Sequence, residues 1–118
     1  MTVDFTKDKP IYAQLVDRIC GEVLKGKLKP GGKLPSVREY AIESGVNVNT
    51  VQRVYKELEA MEMTETKRGQ GTFITTDEER IRQLREERMT QVATQFLTMI
   101  DSLGFTKEEM IEVLKKGG

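Results

Sequence analysis

Two stretches of this chain collect side chains suited to anions and to the hydrogen-bonding edges of bases. Between residues 33 and 53 stand Lys33, Ser36, Arg38, Asn47, Asn49, Thr50, Gln52 and Arg53; further on come Lys67, Arg68 and Gly69. Lysine and arginine neutralise phosphates. Asparagine and glutamine pair bidentately with adenine, and arginine pairs with guanine. Other chemistries lack their usual carriers. There is no histidine, which removes the commonest general base and the commonest zinc ligand together, and the single Cys20 has no internal disulfide partner. No carboxylate or lysine cluster is arranged for catalysis, so no enzymatic activity, cofactor or metal is expected.

To act together these side chains need a frame, and residues 34–73 supply one. Ser36-Val37-Arg38-Glu39 fits a capping box, in which the serine oxygen takes the Glu39 amide and the glutamate reaches back. The helix it opens is short and stops at Ser44-Gly45, where a turn of positive φ admits glycine at little steric cost. Asn47 can cap the next helix, which runs to about Met61. Val51, Val54, Leu58 and Met61 form its inner face, and Asn49, Gln52, Arg53, Lys56 and Glu57 lie on more exposed faces. Met63-Thr64-Glu65-Thr66-Lys67 alternates as a strand does, Arg68-Gly69-Gln70-Gly71 makes a glycine tip, and Thr72-Phe73-Ile74-Thr75 returns. Ala41 is small enough for close helix approach, and Gly45, Val46 and Val51 follow it at offsets of about four, five and ten residues, the spacing of two helices around a tight turn.

The layout predicts a mainly α protein with a small β-hairpin, a winged helix-turn-helix. Its reading helix would enter the major groove N-terminal end first, bringing Asn49, Thr50, Gln52 and Arg53 to bases or phosphates. Ser36 and Arg38 open a helix whose free N–H groups suit a phosphate, with Lys33 just before them. Gly69 would let the wing backbone press into the minor groove, where Arg68 is drawn by the negative potential and Lys67 helps. Tyr40 and Tyr55 fall on apolar faces and read as core.

The flanks divide the chain into residues 1–76 and 77–118. Residues 1–9 read as an extended arm, and Pro10 suits a helix start. Ile11, Tyr12, Leu15, Val16, Ile19, Cys20, Val23 and Leu24 then recur as one apolar helical face ending near Gly26, which makes Cys20 a small buried hydrophobe. Gly21 within that helix costs about 1 kcal/mol relative to alanine. Residues 26–33 read as a loop by their glycine and proline content. Beyond Asp77 the chain is charged and helical, with Glu78 and Arg82 at a supporting spacing. Ile81, Leu84, Met89, Val92, Ala93, Phe96, Leu97, Ile100 and Leu103 form a stripe, more apolar than one short helix needs for itself. Ile81, Leu84, Met89, Val92, Phe96, Ile100 and Leu103 are therefore expected to serve dimerisation. Gly104 ends this helix, and Thr106-Lys107-Glu108-Glu109 is a second capping box, with Phe105 and Met110 at its staple positions, opening a last helix to Lys116.

Charge is balanced, at 19 Lys+Arg against 19 Asp+Glu. Residues 1–76 carry 12 against 10 and residues 77–118 carry 7 against 9, so the bias is toward a basic first part and is small. Binding to DNA must rest on local placement of charge, and one copy should bind modestly; a dimer compensates through effective concentration. No apolar run approaches the roughly 20 residues of a membrane span, and no targeting segment is visible at the N-terminus, so a cytoplasmic address is expected. A sizeable effector pocket takes about 300–1,000 Å³; two tail helices offer little room, and a cleft between two copies is where a small effector could sit.

The string Pro10-Ile11-Tyr12, Gly31, Lys33-Leu34-Pro35-Ser36, Arg38, Ala41, Gly45-Val46, Asn49-Thr50-Val51 and Arg68-Gly69-Gln70-Gly71-Thr72-Phe73 resembles the GntR family of bacterial transcription regulators, over about residues 9–75. The tail, about 42 residues long, looks like that of the YtrA subfamily and is far too short for the large effector domains of other subfamilies. The resemblance implies DNA contacts at Arg38, the start of the third helix and Gly69, a tail that dimerises, and a homodimeric repressor acting on a twofold-related operator near its own operon. Some members place arginines at positions matching Val48 and Gln52; this chain does not, so their operator sequence does not carry over. The rival reading is a winged helix that binds a partner protein without reading DNA.

Overall fold

The computed structural model describes residues 9–117, so all but the last residue of the expected N-terminal arm lies outside the described residues. Five helices and one hairpin follow in order: α1 (Ile11–Leu24), α2 (Val37–Ser44), α3 (Val48–Ala60), β1 (Thr64–Lys67), β2 (Gly71–Ile74), α4 (Glu78–Ser102) and α5 (Lys107–Gly117). Two compact units arise, one ending at Arg82 and the other beginning at Gln83.

In the first unit α1 starts one residue after Pro10, whose carbonyl accepts the Ala13 and Gln14 amides at 3.1 and 3.2 Å. Leu15, Ile19 and Cys20 from α1, Val51, Val54 and Leu58 from α3, and Met63 and Ile74 around the hairpin are almost entirely buried. These are the residues whose helical and alternating spacing marks them as one face. Truncating a buried leucine such as Leu58 to alanine would cost about 2–5 kcal/mol. Tyr40 and Tyr55 are buried as expected, with ring centroids 6.1 Å apart. Met61 ends α3 half-buried rather than continuing its inner face.

The hairpin pairs Thr64 with Ile74, Glu65 with Phe73, Thr66 with Thr72 and Lys67 with Gly71, antiparallel. Its far edge is occupied. The stretch read as a loop pairs with β2: the Ile74 amide donates to Gly32 O at 2.8 Å, the Gly31 amide to Ile74 O at 2.9 Å and the Leu34 amide to Thr72 O at 2.8 Å, with Lys33 opposite Phe73. A two-stranded hairpin leaves a row of unpaired backbone groups on each edge, and this passing backbone satisfies one row. No alternation in residues 26–33 announces it.

Asp77 accepts the Arg80 amide at 3.2 Å as α4 begins. The first turn of α4 stays with the first unit, where Arg80 Nε donates to Met61 O at 2.9 Å and so caps the C-terminal end of α3. Arg82 pairs with Glu79, three residues back, at 2.9 Å from Nε to Oε2. In the second unit the box at the start of α5 is formed: the Glu109 amide donates to Thr106 Oγ1 at 3.1 Å and the Thr106 amide to Glu109 Oε1 at 2.9 Å. Of the expected dimerisation stripe, Leu84 and Ile100 are buried and Ile81 and Phe96 half-buried, while Met89, Val92 and Leu103 are exposed. Among the described residues no helix is long and apolar enough to cross a membrane.

Candidate nucleic-acid interface

The interface is built from helix ends. Ser36 caps α2, its Oγ accepting the Glu39 amide at 3.1 Å while its own amide donates to Glu39 Oε1 at 2.8 Å. The Ser36 amide and hydroxyl, with Lys33 nearby, hold the Glu39 carboxyl below its ordinary value. At the other end of the helix, Gly45 ends α2 at φ 72°, a left-handed geometry a side chain would resist. Asn47 then caps α3, Oδ1 accepting the Asn49 amide at 2.7 Å. Two caps and one glycine set the angle at which α3 leaves α2, and Ala41, buried, lets the helices approach.

A longer-range tie fixes the segment before α2. Tyr55, on α3, donates its hydroxyl to Pro35 O at 2.6 Å. Pro35 sits between Lys33 and Ser36, so the reading helix and the residues opening α2 are joined directly. Burial pushes both the Tyr55 and the Tyr40 phenol above their ordinary value of 10.

On the outward side of α3, Asn49, Gln52, Arg53 and Lys56 are exposed and Thr50 is half-buried. Asn47 is exposed but spends its side-chain oxygen on capping, and Ser36 does likewise. Arg38 is exposed on the first turn of α2 and, among the described residues, meets no ion-pair partner. Lys33 is exposed on the strip that edges β2. Gly69, at φ 77°, occupies the third position of the turn closed by the Gln70 amide on Lys67 O at 2.8 Å. Nothing lies within 4 Å of where its side chain would be, so its backbone is open to an approaching surface. Arg68 beside it is exposed, and the Lys67 ammonium lies 4.9 Å from the centre of the Phe73 ring.

Three further residues join this surface. The Arg53 guanidinium lies 3.6 Å over the Tyr12 ring, bringing the start of α1 to the reading helix. Val48, 40% exposed at the first position of α3, is an apolar group of the type that meets thymine methyls. Ile42, 78% exposed, lies one turn after Arg38. Ile42 falls off the face of α2 that buries Tyr40, Ala41 and Ser44 and is visible as such in the sequence, whereas Val48, three residues before Val51 and seven before Tyr55, keeps the helical period, so its exposure emerges only with the fold; the Tyr12 contact joins residues 41 positions apart, with no local signal. Among the described residues no three His, Cys, Asp or Glu side chains gather where they could hold a metal ion.

Residues 11–74 match the family model described as bacterial regulatory proteins, gntR family. The chain is 45% identical over 115 residues to the HTH-type transcriptional regulator YhcF of Bacillus subtilis, covering 98% of this chain and 95% of that one. It is 43% identical over 98 residues to the HTH-type transcriptional repressor YtrA of the same organism, covering 83% and 74%. A GntR family transcriptional regulator from Listeria monocytogenes superposes with a TM-score of 0.87 at 42% identity, over 95% of this chain and 98% of that one. The DNA-binding domain of AraR in complex with operator ORR3 superposes with a TM-score of 0.55 at 27% identity, over 64% and 88%. A capped helix-turn-helix with a glycine-tipped wing, spanned from Ile11 to Ile74 by the family model and matched nearly end to end by YhcF and the Listeria regulator, places the chain in the GntR family, with YtrA-like relatives, as a DNA-binding transcriptional regulator.

Proposed function

We propose that two copies of this chain occupy a twofold-related operator and repress transcription in the cytoplasm, from a site near the protein's own operon. Asn49, Thr50 and Gln52 face base edges in the major groove. Arg53 reaches the same groove or its wall, Lys33, Ser36 and Arg38 meet phosphates, and Lys67, Arg68 and Gly69 lie along the minor groove. Asn47 serves this surface by capping the reading helix. The observation that carries the reading is the division of α3: Val51, Val54 and Leu58 are buried on one side while Asn49, Gln52 and Arg53 are exposed on the other. A helix in a groove needs that division, and the hairpin that follows it adds a second point of contact.

Dimerisation through residues 77–118 is part of the proposal. Met89, Val92 and Leu103, each more than half exposed, are apolar surface that a partner tail would cover. Two reading helices would then meet half-sites about 34–36 Å apart, one turn of DNA. Neither a cofactor nor a small-molecule effector is needed for this mode of action, and a dimer over a promoter excludes polymerase.

The test is binding of the full chain to the duplex upstream of its own gene, measured across a salt series. Affinity should fall steeply with salt, and Arg38→Ala should weaken it by about tenfold, the worth of one charge-assisted phosphate contact. Binding that ignores salt, or no binding to any duplex, would favour a winged helix that recognises a protein instead.

A further inference from the structure

The Arg53 guanidinium is an exposed charge on the reading helix, yet it does not wave in solvent. It rests 3.6 Å over the ring of Tyr12, a residue of the first turn of α1. Several contacts hold that platform in place. The turn carrying it is closed by the Ala13 and Gln14 amides on Pro10 O, strapped by a Lys9–Asp17 ion pair at 2.8 Å and by Gln14 Nε2 donating to Lys9 O at 2.8 Å, and anchored by Leu15 and Val16 in the core. Arg53 is equally well rooted, between buried Val51 and Val54.

Stacking on a ring uses the face of a guanidinium and leaves its N–H donors, which lie in the plane, pointing outward. It also removes most of the rotamer freedom that a long side chain otherwise surrenders on binding. An arginine held this way is set for a planar, bidentate acceptor. Because the ring belongs to α1, the group is held to the α1 side of α3, leaving Asn49 and Gln52 to the base edges. The acceptor beside a helix lying in the major groove is the phosphate backbone that walls it.

We propose that Tyr12 is a positioning residue for DNA binding, its ring holding the Arg53 guanidinium ready for a backbone phosphate. This rests on the DNA-reading surface proposed above and adds the start of α1 to it. Tyr12 touches no DNA in this scheme; it acts through Arg53.

The experiment compares wild type, Tyr12→Phe, Tyr12→Leu, Arg53→Gln and the Tyr12→Leu/Arg53→Gln pair by fluorescence anisotropy over a salt series. The probes are a duplex selected from a random pool by the wild-type protein and a scrambled duplex of the same length. Arg53→Gln should weaken both and flatten the slope of log affinity against log salt by about 0.9 for each phosphate that is no longer neutralised. Tyr12→Leu should weaken both about two- to fivefold, Tyr12→Phe should bind like wild type, and Tyr12→Leu should cost nothing further once Arg53 is gone. Should the leucine variant unfold at the assay temperature, Tyr12→Met takes its place. An equal loss from Tyr12→Leu in both backgrounds, or no loss in either, overturns the positioning role. Arg53→Gln acting only on the selected duplex, with an unchanged slope, overturns the phosphate as its target. Wild type binding neither duplex would refute the DNA surface itself, a distinct result.

Discussion

Replacing Tyr55 by phenylalanine removes one oxygen from the seam between the reading helix and the segment before α2. The bond removed runs from the Tyr55 hydroxyl to Pro35 O at 2.6 Å, and the tyrosine is only 8% exposed. A typical hydrogen bond contributes a net of about 1 kcal/mol, and an acceptor left unsatisfied raises the loss toward 2 kcal/mol. Pro35 is half-buried, so water recovers part of that. The expected loss near pH 8 is about 1–2 kcal/mol, at roughly 4–8 °C of melting temperature per kcal/mol for a domain of this size. Alkaline pH then supplies a second, independent reading. Burial raises the folded-state pKa of Tyr55 above its ordinary value of 10. Stability from the neutral phenol is therefore complete below pH 10 and is lost as pH rises, because the unfolded chain ionises first. At pH 11 the wild type should have lost on the order of 1 kcal/mol through this one group. Phenylalanine has nothing to ionise; Tyr40, shifted the same way by burial, is present in both proteins, and its charge adds to the rise at Tyr55 in the wild type alone. Denaturant titrations of the pair at pH 8 and pH 11 should show the gap closing to near zero. A gap that stays constant, or one absent at pH 8, would refute the account of this bond.

Ser36→Ala should cost about 1 kcal/mol by removing the cap of an eight-residue helix, read as a shift in denaturant midpoint. The Glu39 carboxyl is held below its ordinary value of 4.5, so its stabilisation is present above that pH and is lost as pH falls through the folded value; Glu39→Gln should flatten the acid limb of a stability–pH curve. Arg80→Ala frees the Met61 carbonyl at the end of α3 and should lower stability by about 1–2 kcal/mol in thermal melts. Val92→Asp puts a charge into the 65%-exposed apolar surface proposed to join two tails; sedimentation should then give the monomer mass at micromolar concentration, and an unchanged dimer would remove that surface from the interface.

The features legible from residue order are local in the chain. The two capping boxes, at Ser36–Glu39 and Thr106–Glu109, join residues three apart, and the Gly45 turn needs only its own φ. The alternation of buried and exposed residues along α1 and α3 follows from helical period alone. Those terms sufficed for the winged helix-turn-helix and for the outward placement of Asn49, Gln52 and Arg53. The pairings that emerged with the folded chain join residues far apart in it: Lys33 against Phe73, Tyr55 against Pro35, Arg80 against Met61 and Arg53 against Tyr12. The tail shows the same division, since its stripe is legible by period while the burial of Leu84 and Ile100 alone among its members is not. Periodicity and capping are properties of a few neighbouring residues, whereas a hydrogen bond or a ring stack across elements depends on where whole helices come to rest, which is set by the summed packing of the core.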